Sequence, residues 1–278
     1  MNMISVAYQG EPGAFSEQAA LAFFGRKARL VPCEHFHDAF RFASAGSSRY
    51  AVVPIENSVF GSVHPNYDLL LQHPLLIVGE ISLRIHHHLM ALPGVQTRDI
   101  RFVFSHPQAL GQCDGFLGRM KRARTRVYGD TAGAAKMIRD EGRLNAAAVA
   151  SVQAAKVYKL RILRRNIENN HHNYTRFLVL SRKAKPLRQN GKTSLVFATR
   201  NIPWALFKSL AVFALREVNL HKIESRPLQG KPWEYLFYLD LLGSVGEEKV
   251  DQALHHLEEV STFLRILGSY PPGKTIEG

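Results

Sequence analysis

Apolar and polar positions along this chain change period several times, and each change marks an element. Residues 4–8 form a short apolar run ending at Gln9, Gly10, Glu11, Pro12 and Gly13, and helical spacing follows over 14–24. A strand, a tight turn and a helix are predicted there. The pattern recurs at 51–55, which runs into a polar turn at Glu56, Asn57 and Ser58, and at 101–104, which ends at Ser105, His106 and Pro107. Asp130 and Thr131 open a helix over 132–138. Strands alternating with helices predict an α/β unit with a parallel sheet, its ligands at the carboxyl ends of the strands where these turns collect.

Beyond Leu180 the pattern breaks. Residues 181–192 hold almost no apolar side chain and read as an exposed linker. A strand at 194–199 comes next, then a helix with Leu206, Leu210 and Phe213 on one stripe and a strand at 219–227. In its hairpin partner at 233–242, Tyr235, Phe237 and Leu239 alternate with Leu236, Tyr238 and Asp240. A helix at 247–260 carries Val250, Leu254 and Leu257, and a last strand occupies 263–267. The order βαββαβ predicts a ferredoxin-like domain. We divide the chain into a first domain at 1–182, a linker at 183–192 and a second domain at 193–272.

At 278 residues the chain exceeds what one typical core supports, and a 46% hydrophobic content supplies more than one. No apolar run is long enough to cross a bilayer, and the opening MNMISVAYQG enters a strand pattern at once, so a soluble cytoplasmic protein with no membrane partner is expected. Cys33 and Cys113 are too few and too far apart for a disulfide framework, which suits a reducing compartment. The net charge of +13 admits nucleic acid, an anionic surface or an acidic metabolite. Its basic clusters at 119–126, 159–165 and 182–192 carry no interleaved aromatic side chains to stack bases, so no nucleic acid is expected and a solvated basic face is favoured.

The turn at 10–16 offers backbone amides and the Ser16 hydroxyl at a helix start, suited to a carboxylate or phosphate. Its spacing is not GxGxxG, and taken alone it reads better as a glycine turn with a helix cap. Glu56, Asn57 and Ser58 bring a carboxylate, an amide and a hydroxyl to one strand end, and Ser105, His106, Pro107 and Gln108 form a similar cluster. Each alone is as ordinary a cap as a site, although four such turns at strand ends are collectively less ordinary. In a strand only His86 and His88 of the histidine triplet share a face. Neither they nor His171 and His172 have a cysteine or carboxylate at ligand spacing, so no metal is expected. There is no GxSxG elbow for serine hydrolase chemistry. The residues by themselves reach a cleft for a small anion and a second domain of regulatory type.

Asn173, Tyr174, Thr175, Arg176 and Phe177 resemble the NxTRF signature of prephenate dehydratases. Other motifs similar to that family's stand in order: YQGEPGAFSE at 8–17, VPIENS at 53–58 with Gly61 and Ser62 after it, SHPQAL at 105–110 and DTAGAA at 130–135. The stretch FALREVNLHKIESRP at 213–227 resembles the ACT domain that follows the catalytic unit in this family. The resemblance covers nearly the whole chain. It implies an α/β fold, with a two-lobed catalytic unit similar to type 2 periplasmic binding proteins followed by a ferredoxin-like βαββαβ ACT domain. It also implies a cofactor-free lyase that converts prephenate to phenylpyruvate, water and carbon dioxide in phenylalanine biosynthesis.

In that reading Thr175 stands beside the leaving hydroxyl. Threonine is too weak an acid to titrate, so it donates a strong hydrogen bond and passes a proton as charge develops. Arg176 binds the pyruvyl carboxylate, since tight pairing with the ring carboxylate would stabilise what must leave. Phe177 walls the ring, Asn57, Ser58, Ser105, Gln108 and Thr131 orient the substrate, and Glu56 holds its turn.

The resemblance assigns Leu206, Glu224, Ser225, Arg226 and Pro227 to an L-phenylalanine effector site enclosed with a neighbouring subunit, hence a homodimer or homotetramer. The loop before the helix commonly reads NxxGxLF in this family. Here it is Asn201, Ile202, Pro203, Trp204, Ala205, Leu206 and Phe207. A glycine permits positive φ and close approach to a ligand, so Trp204 in its place leads to an expectation of weakened or altered phenylalanine inhibition. His171, His172 and His221 are smaller departures. Two rival readings are arogenate dehydratase, whose substrate has an amino acid side chain in place of the pyruvyl group, and a non-catalytic amino-acid sensor, against which Thr175, Arg176 and Phe177 argue.

Overall fold

The computed structural model describes residues 3–185, 187, 189–228, 230–231 and 233–277. In chain order the elements begin with β1 (Ser5–Gln9), α1 (Phe15–Phe24), β2 (Arg29–Cys33), α2 (Phe36–Ala45), β3 (Tyr50–Asn57), β4 (Gly61–Ser62), α3 (His64–Gln72) and β5 (Leu76–Arg84). Next come β6 (His88–Ala91), β7 (Phe102–Ser105), α4 (Pro107–Gln112), α5 (Asp114–Leu117), β8 (Arg124–Val127), α6 (Thr131–Asp140), β9 (Ala146–Ala150), α7 (Val152–Val157), β10 (Arg161–Arg164) and β11 (Tyr174–Ser181). The chain ends with β12 (Lys192–Ala198), α8 (Ala205–Ala214), β13 (Leu220–Pro227), β14 (Tyr235–Leu242), α9 (Glu248–Val260), β15 (Phe263–Tyr270) and β16 (Lys274–Ile276). They group into two units: Met1–Pro74 with Ile81–Val179 and Lys274–Gly278, and Leu75–Glu80 with Leu180–Gly273.

The first unit has two lobes, each built on a sheet. One sheet has strand order β16-β5-β11-β3-β1-β2 with β4 beside β3, and the other has order β10-β6-β9-β7-β8. The predicted parallel pairing holds for β1 with β2 and β3, and for β7 with β8 and β9. It fails for β6, which runs antiparallel to β9 and β10. That strand enters the second sheet directly from β5 of the first, through residues 85–87. Strand β9, AAAVA, is buried along its whole length, as a central strand covered on both faces must be. Gly13 links the lobes: it has φ 95°, its carbonyl accepts the Ser151 hydroxyl at 2.7 Å, and a Cβ there would lie 2.6 Å from the Ala154 Cα.

The second unit has sheet order β13-β14-β12-β15, antiparallel throughout, which is the ferredoxin-like arrangement of βαββαβ. Leu195, Phe197, Phe213, Leu239 and Leu257 share its core. Leu206, expected on the core stripe of α8, is instead 37% exposed at the helix's first turn, and Ser209, Val212 and Phe213 form the buried face.

The expected linker is shorter than residues 181–192. Ser181 is the buried end of β11, and Lys192 opens β12 at 3% exposure; Pro186 and Arg188 lie outside the described residues. Lys192 is tolerated inside because its ammonium meets Glu80 at 3.0 Å and Asp240 at 3.5 Å. Asp240 also accepts the Ser194 hydroxyl, and Ser194 lies 2.6 Å from the Tyr270 hydroxyl. Leu75–Glu80 joins this unit where Gly268, without a Cβ, lets β15 close onto the Ile77 carbonyl.

Candidate active site

A cleft of about 630 Å³ opens in the first unit, walled by the turn after β1, the starts of α3 and α6, the segment between β5 and β6, and β11. Along β11 successive side chains face opposite ways. Thr175 and Phe177 therefore share the cleft face, with Phe177 2% exposed as a flat wall. Arg176 points to the other side, outside the cleft lining, and its Nη1 lies 3.9 Å from Glu56 Oε2. The expectation that Arg176 grips the substrate is thus corrected by strand alternation. It pairs β11 with the end of β3 through Glu56.

Asn57 is the hub. Its Nδ2 donates to Thr175 Oγ1 at 2.9 Å, to Asn173 Oδ1 at 2.7 Å and to the Tyr174 carbonyl at 3.2 Å. Its Oδ1 accepts the amides of Val59 and Phe60, each at 3.0 Å. With both ends committed, Asn57 orients Thr175 more than substrate. Since Thr175 Oγ1 accepts from Asn57, its own hydrogen stays available to the cleft.

Two other serine expectations are corrected. Ser58 lies outside the cleft lining, its hydroxyl donating to the His172 carbonyl at 3.0 Å and accepting the Tyr174 amide at 2.9 Å. Ser105 is fully buried and donates to the Val149 carbonyl at 2.6 Å, stitching β7 to β9. Both hydroxyls are thereby committed to main-chain groups. Gln108 and Thr131 do line the cleft.

Phe15, Ser16, His64, His87, His106 and Gln112 also line it; of these only Ser16 was weighed from the sequence as a ligand group, and it was read there as a helix cap. Ser16 lies inside a motif already quoted and Gln112 just after another, but their direction depends on the helices that carry them. The histidine triplet is resolved by contacts: His86 and His88 stack at 6.4 Å, His86 Nδ1 pairs with Glu168 at 2.8 Å, and His88 Nδ1 accepts the Asn166 amide at 3.1 Å. Burial, the largest influence, pushes the His88 pKa down to about 4. No group of three or more His, Cys, Asp or Glu among the described residues is placed to hold a metal.

None of the described lining residues is Lys or Arg. Negative charge must instead meet dipoles and neutral donors. Helix α1 starts at the cleft from Ala14 with no capping side chain on its first amides, whereas α3 offers fewer, since Pro65 has no N–H and the Asn66 amide donates to the Val63 carbonyl at 3.0 Å. The α6 start is capped by Asp130, whose Oδ1 accepts the Gly133 amide at 2.7 Å.

A two-lobed α/β unit with a hydroxyl donor and an aromatic wall in one cleft has the makings of an enzyme site for a small molecule. The prephenate dehydratase family matches residues 6–185, and by that match the chain belongs to the family, a class of carbon–oxygen lyases. It is 49% identical to "Arogenate dehydratase/prephenate dehydratase 2, chloroplastic" of Arabidopsis thaliana, over 98% of this chain and 74% of that one. Among solved structures, prephenate dehydratase from Arthrobacter aurescens in complex with L-Phe superposes with TM-score 0.89 at 31% identity, covering 96% of this chain and 90% of the other. A protein described as "GqqA- a novel type of quorum quenching acylases" superposes with TM-score 0.88 at 35% identity, covering 96% and 98%.

Proposed function

We propose that Thr175 drives the dehydration of prephenate to phenylpyruvate. As the ring carboxylate leaves as carbon dioxide, its electron pair enters the ring and the C–O bond to the hydroxyl breaks. The Thr175 hydroxyl donates to the departing oxygen, which leaves as water, and solvent restores the proton. The observation that carries this reading is the Asn57 amide on Thr175 Oγ1, which stabilises charge developing there and leaves the hydrogen for the substrate. Phe177 packs on the ring. The carboxylates seat on the open first turn of α1, with Ser16, Gln108, Gln112 and Thr131 as neutral donors. The lack of a guanidinium beside the ring carboxylate favours its release.

Arogenate is the second candidate substrate, supported by the names of the plant relatives and by Glu34 and Asp130 in the cleft wall, which suit an ammonium group. Acyl transfer, as in the description of GqqA, has less support, because the Thr175 hydroxyl is held by an amide and not by a histidine base.

The second unit acts in this reading as an ACT domain that senses L-phenylalanine, the ligand in the Arthrobacter structure, and pairs between subunits. The outward rings of Trp204, Phe207 and Trp233 support such pairing, being 71%, 64% and 78% exposed. Two free, buried cysteines suit a reducing compartment, the cytoplasm in our proposal, although the Arabidopsis relatives are named chloroplastic. Among described residues no helix is long and apolar enough to cross a membrane.

Turnover of prephenate and of arogenate, each with and without L-phenylalanine, tests the reading. Phenylpyruvate formation from prephenate is expected, and purified, folded protein that turns over neither substrate would overturn it.

A further inference from the structure

His87 is a buried group for which the mechanism above has no use. It is 2% exposed yet forms part of the cleft wall, with the Phe15 ring edge-on to it at 5.5 Å. Its backbone amide donates to Glu168 Oε2 at 2.9 Å, and the other oxygen of that buried carboxylate takes His86. The ring is therefore anchored through its own main chain. Its Nε2 lies 2.6 Å from Gln112 Oε1, which is an acceptor only, so Nε2 carries the hydrogen of the neutral ring. Burial favours that neutral form. Nδ1 is left as a bare acceptor, buried and without a hydrogen-bond partner among the described residues. A buried polar atom in that state costs free energy unless a ligand satisfies it.

The substrate offers little choice of partner. Both carboxylates and the keto oxygen of prephenate only accept; its ring hydroxyl is its one hydrogen-bond donor. We propose, on the dehydratase reading above, that His87 Nδ1 accepts the hydrogen bond of the substrate's ring hydroxyl and turns that oxygen's lone pairs toward Thr175. His87 is then a catalytic residue that holds the leaving group, with Gln112 and Glu168 as the positioning residues that fix its tautomer and place.

The test uses the whole chain with prephenate, arogenate and a prephenate analogue whose ring hydroxyl is replaced by hydrogen. In His87→Asn the amide oxygen reaches the position of Nδ1, whereas in His87→Gln it reaches that of Nε2. His87→Asn is expected to keep kcat within about fivefold of wild type, while His87→Gln loses about 10- to 100-fold in kcat on both substrates with KM changed by less than about threefold. The deoxy analogue should bind wild type about tenfold more weakly than prephenate, and in His87→Gln that difference should shrink to about threefold or less, since only Thr175 still meets the hydroxyl. Equal kcat in the two variants would overturn the proposal. So would a His87→Gln effect confined to arogenate, which would mean the ring reads the ammonium group. Tight binding of the deoxy analogue to wild type would overturn it without any variant. Wild type inactive on both substrates would instead remove the dehydratase reading, and the proposal with it.

Discussion

Around Thr175 the hydrogen bonds close within the first unit: Asn57 holds the threonine, its own turn and Asn173 together, and Ser58 stitches the same turn to residues 172–174. Around Trp204 the second unit does the opposite and turns three aromatic rings to solvent. The Glu224–Pro227 segment follows the same contrast. On β13 its residues alternate, Glu224 and Arg226 half-buried on one side, Ser225 and Pro227 exposed on the other. One site is complete in a single unit and is built for chemistry that needs fixed atoms. The other surface leaves its aromatic rings uncovered, which fits the proposed effector site completed by a second surface.

The contrast concerns surfaces, and it should vanish inside the second unit, where Lys192, Glu80 and Asp240 form a buried cluster. Lys192→Met takes the ammonium from two carboxylates and is expected to cost about 3–5 kcal/mol of unfolding free energy, read by denaturant titration. A loss under about 1 kcal/mol would show a hydrated cluster and a softer second unit than its packing indicates.

Thr175→Ala breaks the first site at its centre. Loss of one preorganised donor should lower kcat about 10²- to 10³-fold with the melting temperature nearly unchanged, since Asn57 retains its other partners. Near wild-type phenylpyruvate formation would remove Thr175 from the mechanism.

Acid should destabilise the first unit through its buried histidines, of which His88 lies outside the cleft lining. The His88 pKa is depressed from 6.5 to about 4, so the unfolded chain binds a proton that the folded one refuses. The stabilisation is complete above about pH 6.5 and is lost as pH falls toward 4. Glu168 adds a further loss below its ordinary carboxylate range: burial raises its pKa, but the His86 hydrogen bond and backbone amides outweigh that and hold it low. Thermal unfolding against pH should therefore slope through this window. His88→Gln should flatten its upper part, and an unchanged slope in that variant would assign the window to other groups.

How much was legible in sequence follows the same division between local pattern and tertiary placement. Period and turn chemistry located α1, β3, β7, α6 and the whole βαββαβ order, because each is written in neighbouring residues. Strand β9 went unnoticed: AAAVA has helical propensity, and only burial between two neighbours makes it a strand. The NxTRF signature pointed to Thr175 and Phe177, which the structure puts on the cleft face, but strand alternation alone decides that Arg176 faces away. Ser58 and Ser105 were misassigned because a motif shows which hydroxyls are present and not which carbonyls they meet. Lys192 looked like linker because its two carboxylates lie 112 and 48 positions away.

The smallest effect concerns Trp204, where the structure reverses a premise. The indole was expected to exclude the positive φ that glycine provides; yet Trp204 has φ 68° and ψ −3° as the N-cap of α8, with its ring turned outward against Phe207 at 5.9 Å. The backbone thus does what a glycine would, at a strain of about 1 kcal/mol. If the loop's path is what an effector reads, Trp204→Gly relieves strain but gains chain entropy in the unfolded state, and stability should move by less than about 1 kcal/mol. L-phenylalanine should then inhibit wild type, and its inhibition constant should shift by less than about threefold in the variant. A shift beyond about tenfold would mean that the indole itself walls the effector pocket. The outward ring would then be part of the second site, and the contrast with Thr175 would narrow to which surface completes it.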